Sequence, residues 1–284
     1  MASGPYPSVA ARATCRLYFP PVKAAAVAAL LGALCVSTAW ADWHGVHVTL
    51  PAPATLGAEL VTPSGAGPFP TVILLHGCGG PSANVKDWAV WLQHEGYAAM
   101  DLDSFGGRGL RRLCGDPAPL TGRMRAPDVF AAARYLKTQP QIDAARMAAI
   151  GFSHGGSTVL WAAATETQYA DVDLRAFIMF YPGCAGWKKL PGTTPVLMLL
   201  GGRDDWTPAG PCESLAHAAT REGRSVTAVV YPEAFHAFDA VAVRGRVYVP
   251  EARGGKGATL EYNPRAHEDA EKQVRAFLAE NLRK

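Results

Sequence analysis

The sequence predicts an α/β fold: a mostly parallel, eight-stranded sheet with helices on both faces. Three observations carry that expectation. Continuous apolar, β-rich runs alternate with stretches of helical spacing almost without interruption, the pattern of strands covered on both sides by helices. The connections between most of these runs are short, which favours right-handed crossovers back onto one sheet. At residues 147–165 an apolar run, a tight turn and a helical stretch follow one another, with Ser153 at the apex of the turn.

In chain order, residues 47–50 and 59–62 read as a leading antiparallel pair, divided by Pro51-Ala52-Pro53. Residues 71–75 (Thr-Val-Ile-Leu-Leu) form an unbroken run typical of a strand buried on both faces. A helix over 84–95 and a strand over 97–102 follow. Residues 127–138 have helical spacing, with Pro127 in the first turn, where its missing N–H costs nothing. The strand at 147–152 leads through Ser153 into a helix over 154–165. Residues 176–181, 196–200 and 226–231 are three more buried-type strands, with a helix over 212–222 between the last two. An amphipathic helix over 264–282 closes the chain. Segments 103–125 and 239–263 exceed ordinary connection lengths. In such a domain long loops cap a site at the carboxyl ends of the strands.

The first 41 residues stand apart. They contain Arg12, Arg16 and Lys23 but no Asp or Glu, then an apolar run over 24–36 and the sequence Ser37-Thr38-Ala39-Trp40-Ala41. This is the order of a secretory leader, with cleavage expected after Ala41. A retained anchor is less favoured because the run falls short of the roughly 20 residues of a span. A lipid anchor on Cys35 is disfavoured by bulky Leu34 before it. The stretch before Lys23 is long for a leader, and Val22 is an alternative start. The chain's net charge of +3 is carried wholly by these three cations. Residues 42–284 are therefore neutral overall and offer no basic field for nucleic acid or anionic membrane. With no internal repeat or linker, they suit one domain.

Chemistry concentrates at three turns. In Gly151-Phe152-Ser153-His154-Gly155 the glycines permit a turn too tight for a Cβ, and the turn exposes the serine hydroxyl. A serine needs an adjacent base, itself oriented by an acid. Strand 196–200 runs into Gly201-Gly202-Arg203-Asp204-Asp205-Trp206-Thr207-Pro208, and strand 226–231 into Pro232-Glu233-Ala234-Phe235-His236-Ala237-Phe238. Ser, Asp, His in that order, each at the carboxyl end of its own strand, is the order of α/β-hydrolases. His236 would take the serine proton and return it to the leaving group. The acid, Asp204 or Asp205, would fix its tautomer; Asp204 comes first after its strand and is favoured. Oxyanion donors are expected from the His154 backbone N–H and from the turn His76-Gly77-Cys78-Gly79-Gly80, where position selects Cys78. His76 reads as a structural histidine of its own loop. His217 and His267 have no partners at metal-ligand spacing, so no metal or other cofactor is expected.

These motifs resemble the dienelactone hydrolase family of α/β-hydrolases. The matching pieces are Asp103-Ser104-Phe105 with Arg108-Gly109, Gly151 through Gly156, Asp204 through Pro208, and Ala234 through Asp239. The resemblance spans almost all of residues 42–284. It implies an acid four residues before the proline, which is Asp204. The family's namesake enzymes use a cysteine nucleophile, so Ser153 points to a serine carboxylesterase-like member.

Four cysteines remain after the leader, an even number suited to disulfides in an exported protein. Placed in this fold, Cys78 and Cys114 occupy neighbouring carboxyl-end loops, as do Cys184 and Cys212. The expected bridges are Cys78–Cys114 and Cys184–Cys212. Arg108, Arg111 and Arg112 in the first long loop suggest either a carboxylate anchor for substrate or, as the favoured reading, ion pairs with Asp101, Asp103 or Asp116. Arg108 is the candidate substrate contact among them. Trp206 and Phe235, beside the acid and the histidine, are expected to line the pocket. The sequence thus predicts an exported single-domain hydrolase of small esters or lactones, acting through an acyl-serine. It needs no nucleic acid partner and has no stable membrane association after leader cleavage. The alternatives are a serine peptidase of the same fold and a noncatalytic binding module on its scaffold.

Overall fold

The computed structural model describes residues 55–282 together with Thr49; the expected leader, residues 1–41, lies outside the described residues. Strands β1 (Gly57–Val61), β2 (Phe69–Leu75), β3 (Ala98–Asp103), β4 (Ile142–Phe152), β5 (Leu174–Phe180), β6 (Val196–Gly201) and β7 (Val226–Tyr231) form one sheet in the order β1-β3-β2-β4-β5-β6-β7. All neighbours are parallel except β1, which runs antiparallel to β3. Among the described residues the sheet has seven strands rather than the expected eight. The segment 47–50, expected as the antiparallel partner of β1, lies outside the described residues apart from Thr49; β1 itself pairs with the edge of β3.

The sheet separates two apolar layers because successive side chains of a strand point to opposite faces. Ile73, Leu75, Phe177, Met179, Met198 and Leu200 join α2 (Gly122–Leu136), α3 (His154–Thr165) and α4 (Ala209–Arg221) on one side. Val72, Leu74, Ile178, Phe180, Leu197 and Leu199 pack against α1 (Ala83–His94) and α6 (Pro264–Asn281) on the other. The unbroken apolar runs in the sequence are this two-sided burial.

Helix α2 begins five residues before the expected start. The Thr121 side chain accepts from the Met124 N–H at 3.3 Å and caps the helix, leaving Pro127 inside it. The carbonyl that Pro127 cannot satisfy belongs to exposed Arg123, where water can serve it. The second long segment is not a bare loop. It folds into the antiparallel pair β8 (Arg246–Val249) and β9 (Ala258–Glu261), joined through a short turn, α5 (Ala252–Gly255), in which Arg253 and Gly254 take left-handed backbone at φ 55° and 66°. Leu260 bridges to His236, the Glu261 N–H donates to the His236 carbonyl at 3.2 Å, and the Asn263 N–H to that of Phe238 at 2.9 Å. This cap therefore lies directly on the loop after β7. Among the described residues, no helix is long and apolar enough to cross a membrane.

Candidate active site

At the end of β4 the chain folds back so tightly that Ser153 takes φ 55° and ψ −112°, a conformation that costs a non-glycine residue roughly 1–3 kcal/mol. The surrounding packing enforces it. A Cβ on Gly151 would sit 2.2 Å from the Gly155 carbonyl oxygen, and one on Gly155 would sit 2.1 Å from that of Leu75. The two glycines of the motif are thus steric requirements of helix α3 riding over β2 and β4. The Ser153 N–H donates to the Phe180 carbonyl at 2.9 Å, which ties the apex to β5.

Ser153, His236 and Asp204, distant in sequence, converge at the carboxyl edge of the sheet. Ser153 Oγ lies 2.8 Å from His236 Nε2, and His236 Nδ1 lies 2.7 Å from Asp204 Oδ2. All three side chains are buried. Burial raises the Asp204 pKa, but His236, with the Thr207 N–H and hydroxyl, outweighs it and leaves the carboxyl below its ordinary value. Asp204 Oδ1 accepts the Trp206 and Thr207 N–H groups at 2.8 Å each. The Thr207 hydroxyl lies 2.9 Å from both Asp204 Oδ2 and the Tyr181 carbonyl. With its carboxylate so fixed, Asp204 selects the tautomer that carries its proton on Nδ1, leaving Nε2 to accept from serine. The Tyr181 ring packs 4.5 Å from the imidazole, and the Trp206 ring packs 5.0 Å from it. Asp205 is occupied elsewhere: its carboxylate accepts the Thr259 N–H at 2.7 Å and hydroxyl at 2.9 Å, gripping the cap.

Two supports of this arrangement went unread in the sequence. Asp239, almost fully buried, accepts from Tyr181 Oη at 2.6 Å, Trp88 Nε1 at 2.8 Å and Asn84 Nδ2 at 3.0 Å. It pins the aromatic ring beside the imidazole to α1; its place in the Ala234–Asp239 motif was the only signal. Arg125 is fully buried beneath the turn after β2, where Nη1 donates to the His76 carbonyl at 2.7 Å and approaches His154 Nδ1 at 3.2 Å. No pattern in the sequence marks it. Burial, then Arg125, pulls the His154 pKa down to about 4, so its ring is neutral at pH 7 and Nε2 donates to the Leu120 carbonyl at 2.8 Å. Burial likewise holds His76 well below its ordinary value, and its Nδ1 donates to the Gly77 carbonyl at 2.8 Å, the structural role expected of it.

Cys78 lies in the turn after β2, and His154 is the first residue of α3, whose N–H groups lack intrahelical acceptors. Both line a cavity of about 290 Å³ that reaches Ser153, together with Leu113, Pro117 and Trp206. A second cavity of about 270 Å³ meets it at Ser153 and runs past His236 toward the cap. Both expected disulfides are present: Cys78–Cys114 with Cα atoms 4.9 Å apart, and Cys184–Cys212 at 5.1 Å.

Trp206 lines both cavities. Two other expected substrate contacts are placed elsewhere. Arg108 lines neither cavity and bonds Asp128 bidentately at 2.8 Å and 2.8 Å, with the Ser104 carbonyl at 2.7 Å. The favoured ion-pair reading describes it, but with a carboxylate of α2 rather than Asp101, Asp103 or Asp116. Phe235 turns away from Ser153 into a separate polar cleft, its ring between the guanidinium groups of Arg203 and Arg246 at 4.7 and 4.6 Å. It immediately precedes His236, and in this loop that single step reverses the direction of the side chain. Among the described residues no cluster of side chains has the makings of a metal site.

Comparison with known proteins places this geometry in a context. The model of the dienelactone hydrolase family matches residues 56–282. A protein of Methylorubrum extorquens named as a carboxymethylenebutenolidase is 26% identical over 197 residues, covering 63% of this chain and 66% of that one. One of a Bradyrhizobium species, named as a 2-oxo-3-(5-oxofuran-2-ylidene)propanoate lactonase, is 25% identical over 193 residues, covering 64% and 78%. Among solved structures, a dienelactone hydrolase-like promiscuous phosphotriesterase from metagenomic libraries superposes with a TM-score of 0.65 at 20% identity, covering 84% of this chain and 98% of that one. A Thermogutta terrifontis esterase phosphonylated by cyclosarin gives 0.61 at 17%, covering 84% and 94%. These two likenesses establish the shared fold.

Proposed function

This chain belongs to the dienelactone hydrolase family, and on that premise we propose that it is a serine hydrolase cleaving carboxylic esters, lactones included, through an acyl-serine intermediate. One observation carries the reading: the unbroken line from Asp204 through His236 to Ser153, at 2.7 and 2.8 Å. Ser153 Oγ attacks the carbonyl carbon as its proton passes to His236 Nε2. Negative charge gathers on the carbonyl oxygen, facing the Cys78 and His154 N–H groups. His236 then returns the proton to the departing alkoxide, the carbon–oxygen bond breaks, and an acyl-serine remains. Water, deprotonated by the same imidazole, repeats the cycle and releases the acid. Every proton is carried by residues of this chain, so the cycle calls for no cofactor.

The names of the relatives, which denote butenolide and furanylidene lactone hydrolysis, support small cyclic esters among the substrates. Two disulfides suit an oxidising compartment. With the basic-apolar leader they support export. The test is a fluorophosphonate probe combined with hydrolysis of short acyl esters. The expected result is label on the peptide carrying Ser153 and turnover, both lost in Ser153→Ala. Native, folded protein that stays unlabelled and hydrolyses none of them would overturn the reading.

A further inference from the structure

Ser153 stands where two cavities meet, and each continues from a different side of the catalytic line. The cavity of about 270 Å³ contains His236 and ends among Ala240, Ala242, Val243, Val249 and Leu260 of the cap. The cavity of about 290 Å³ contains His154 but not His236, and ends at Leu113, Pro117 and Gly115 of the first long loop. Cys78, Cys114 and Trp206 line both and form the ridge between them. Each volume sits near the lower end of the ~300–1,000 Å³ typical of a whole ligand site. Two arms of that size on opposite sides of one nucleophile suit a molecule that straddles it.

The proton path decides which half of the substrate goes where. His236 must deliver its proton to the leaving oxygen, so that oxygen and its carbon chain lie on the His236 side. The carbonyl oxygen lies toward the Cys78 and His154 N–H groups, and the acyl chain takes the remaining direction. We propose that the cap arm binds the alcohol part and the loop arm the acyl part, so that preferred substrates are uncharged, open-chain esters with an apolar group on each side. This rests on the hydrolase reading above and sharpens its substrate class.

The linings agree. In the cap arm the charged side chain is Arg112, which is exposed and paired with Glu251. In the loop arm it is Arg253, also exposed, with Nη1 donating to the Asp205 carbonyl at 2.9 Å. No carboxylate lines either arm. The interior of both arms is therefore uncharged and mostly apolar, with neutral polar groups such as Ser157 and Asn84 in the lining, and a chain buried there gains up to about fourfold per methylene in kcat/KM.

The experiment is a matrix of two ester series against three proteins. Methyl, butyl and octyl acetate lengthen the alcohol; methyl acetate, butanoate and octanoate lengthen the acyl chain. The native enzyme should gain in kcat/KM along both series. Ala242→Trp should collapse the octyl-to-methyl ratio tenfold or more while sparing the octanoate-to-acetate ratio, and Pro117→Trp should do the reverse. Both residues are exposed and tolerate bulk; the native series tests the proposal independently of either variant. Both ratios moving together in either variant, the opposite assignment, or a monocyclic lactone outrunning every open-chain ester would overturn it. Native enzyme that leaves all esters intact, with Ser153 unlabelled, overturns the hydrolase reading itself and so is told apart from a wrong assignment of arms.

Discussion

Asp204→Asn isolates the tautomer that the site depends on. Asp204 Oδ1 accepts two backbone N–H groups at 2.8 Å, and Oδ2 faces His236 Nδ1 at 2.7 Å. An asparagine keeps the two backbone bonds only with its oxygen at the Oδ1 position. That places its NH2 opposite Nδ1. An amide NH2 donates, so Nδ1 must accept and the ring proton moves to Nε2, where it faces Ser153 Oγ at 2.8 Å. The imidazole is then unable to take the serine proton. The flipped amide would avoid this only by setting NH2 against two N–H donors, at a cost of about 1–3 kcal/mol for each group left unsatisfied. The wrong tautomer therefore prevails. Loss of base catalysis of this kind lowers kcat about 10⁴-fold, roughly 5.5 kcal/mol of barrier. The assay is kcat on a short acyl ester, with a thermal melt to show that the variant folds. Asp205→Asn is the control: its carboxylate holds Thr259 rather than the histidine, so it should lose less than about tenfold. Retention of a tenth or more of kcat by Asp204→Asn, or a larger loss in Asp205→Asn, would refute the reasoning.

Other outcomes follow from the same coordinates. Arg108→Gln leaves the carboxylate of fully buried Asp128 without its bidentate cation and should destabilise the fold by about 3–5 kcal/mol in urea unfolding. The folded fraction should hydrolyse esters at the native rate, whereas a purely substrate-binding arginine would give the opposite pattern. Burial, reinforced by Glu59, raises the Asp101 pKa to about 7 from its ordinary 3.8. The folded state therefore binds the proton more tightly than the unfolded one, and this site's contribution to stability is lost as pH rises through 4–7. Asp101→Asn should raise Tm at pH 8 by about 2–4 °C per kcal/mol recovered, with the gain vanishing near pH 4; an equal gain at both pH values would contradict this. Opening the Cys184–Cys212 bridge with a double Cys→Ser variant should cost about 2–4 kcal/mol of stability in denaturant. Phe235→Leu should leave ester kcat/KM unchanged, because its ring faces the Arg203–Arg246 cleft.

What was legible in the sequence depended on whether local chemistry or distant packing decided it. The elbow was readable because Gly151 meets the backbone of Gly155 within the same short turn, although the contact that keeps a Cβ off Gly155 is with distant Leu75. The order of Ser153, Asp204 and His236 was readable because parallel strands deliver their carboxyl ends to one edge. The disulfides followed from the same placement. Pro127 misled because the cap that starts α2 is Thr121, a residue whose role shows only once its Oγ1 meets the Met124 N–H. Strands β8 and β9 were missed because four-residue strands in a Gly-rich stretch carry too little periodicity to stand out. Arg108 and Phe235 belong to the motif stretches in sequence but line neither cavity at Ser153, and side-chain direction in a loop has no period to read. Asp239 and Arg125 act through partners 58 to 155 and 29 to 49 positions away, respectively, which no local pattern encodes.

The cap is fastened at fixed points: Thr259 to Asp205, Leu260 and Glu261 to His236, and Asn263 to Phe238. Its outer stretch, from Val241 to Tyr248, carries exposed apolar side chains and makes none of these attachments. Changes of length or composition at 241–245, ahead of the paired strand β8, therefore leave these fixed points, and with them the Asp204–His236 contact, in place while altering the wall that Ala242 and Val243 give the cleft.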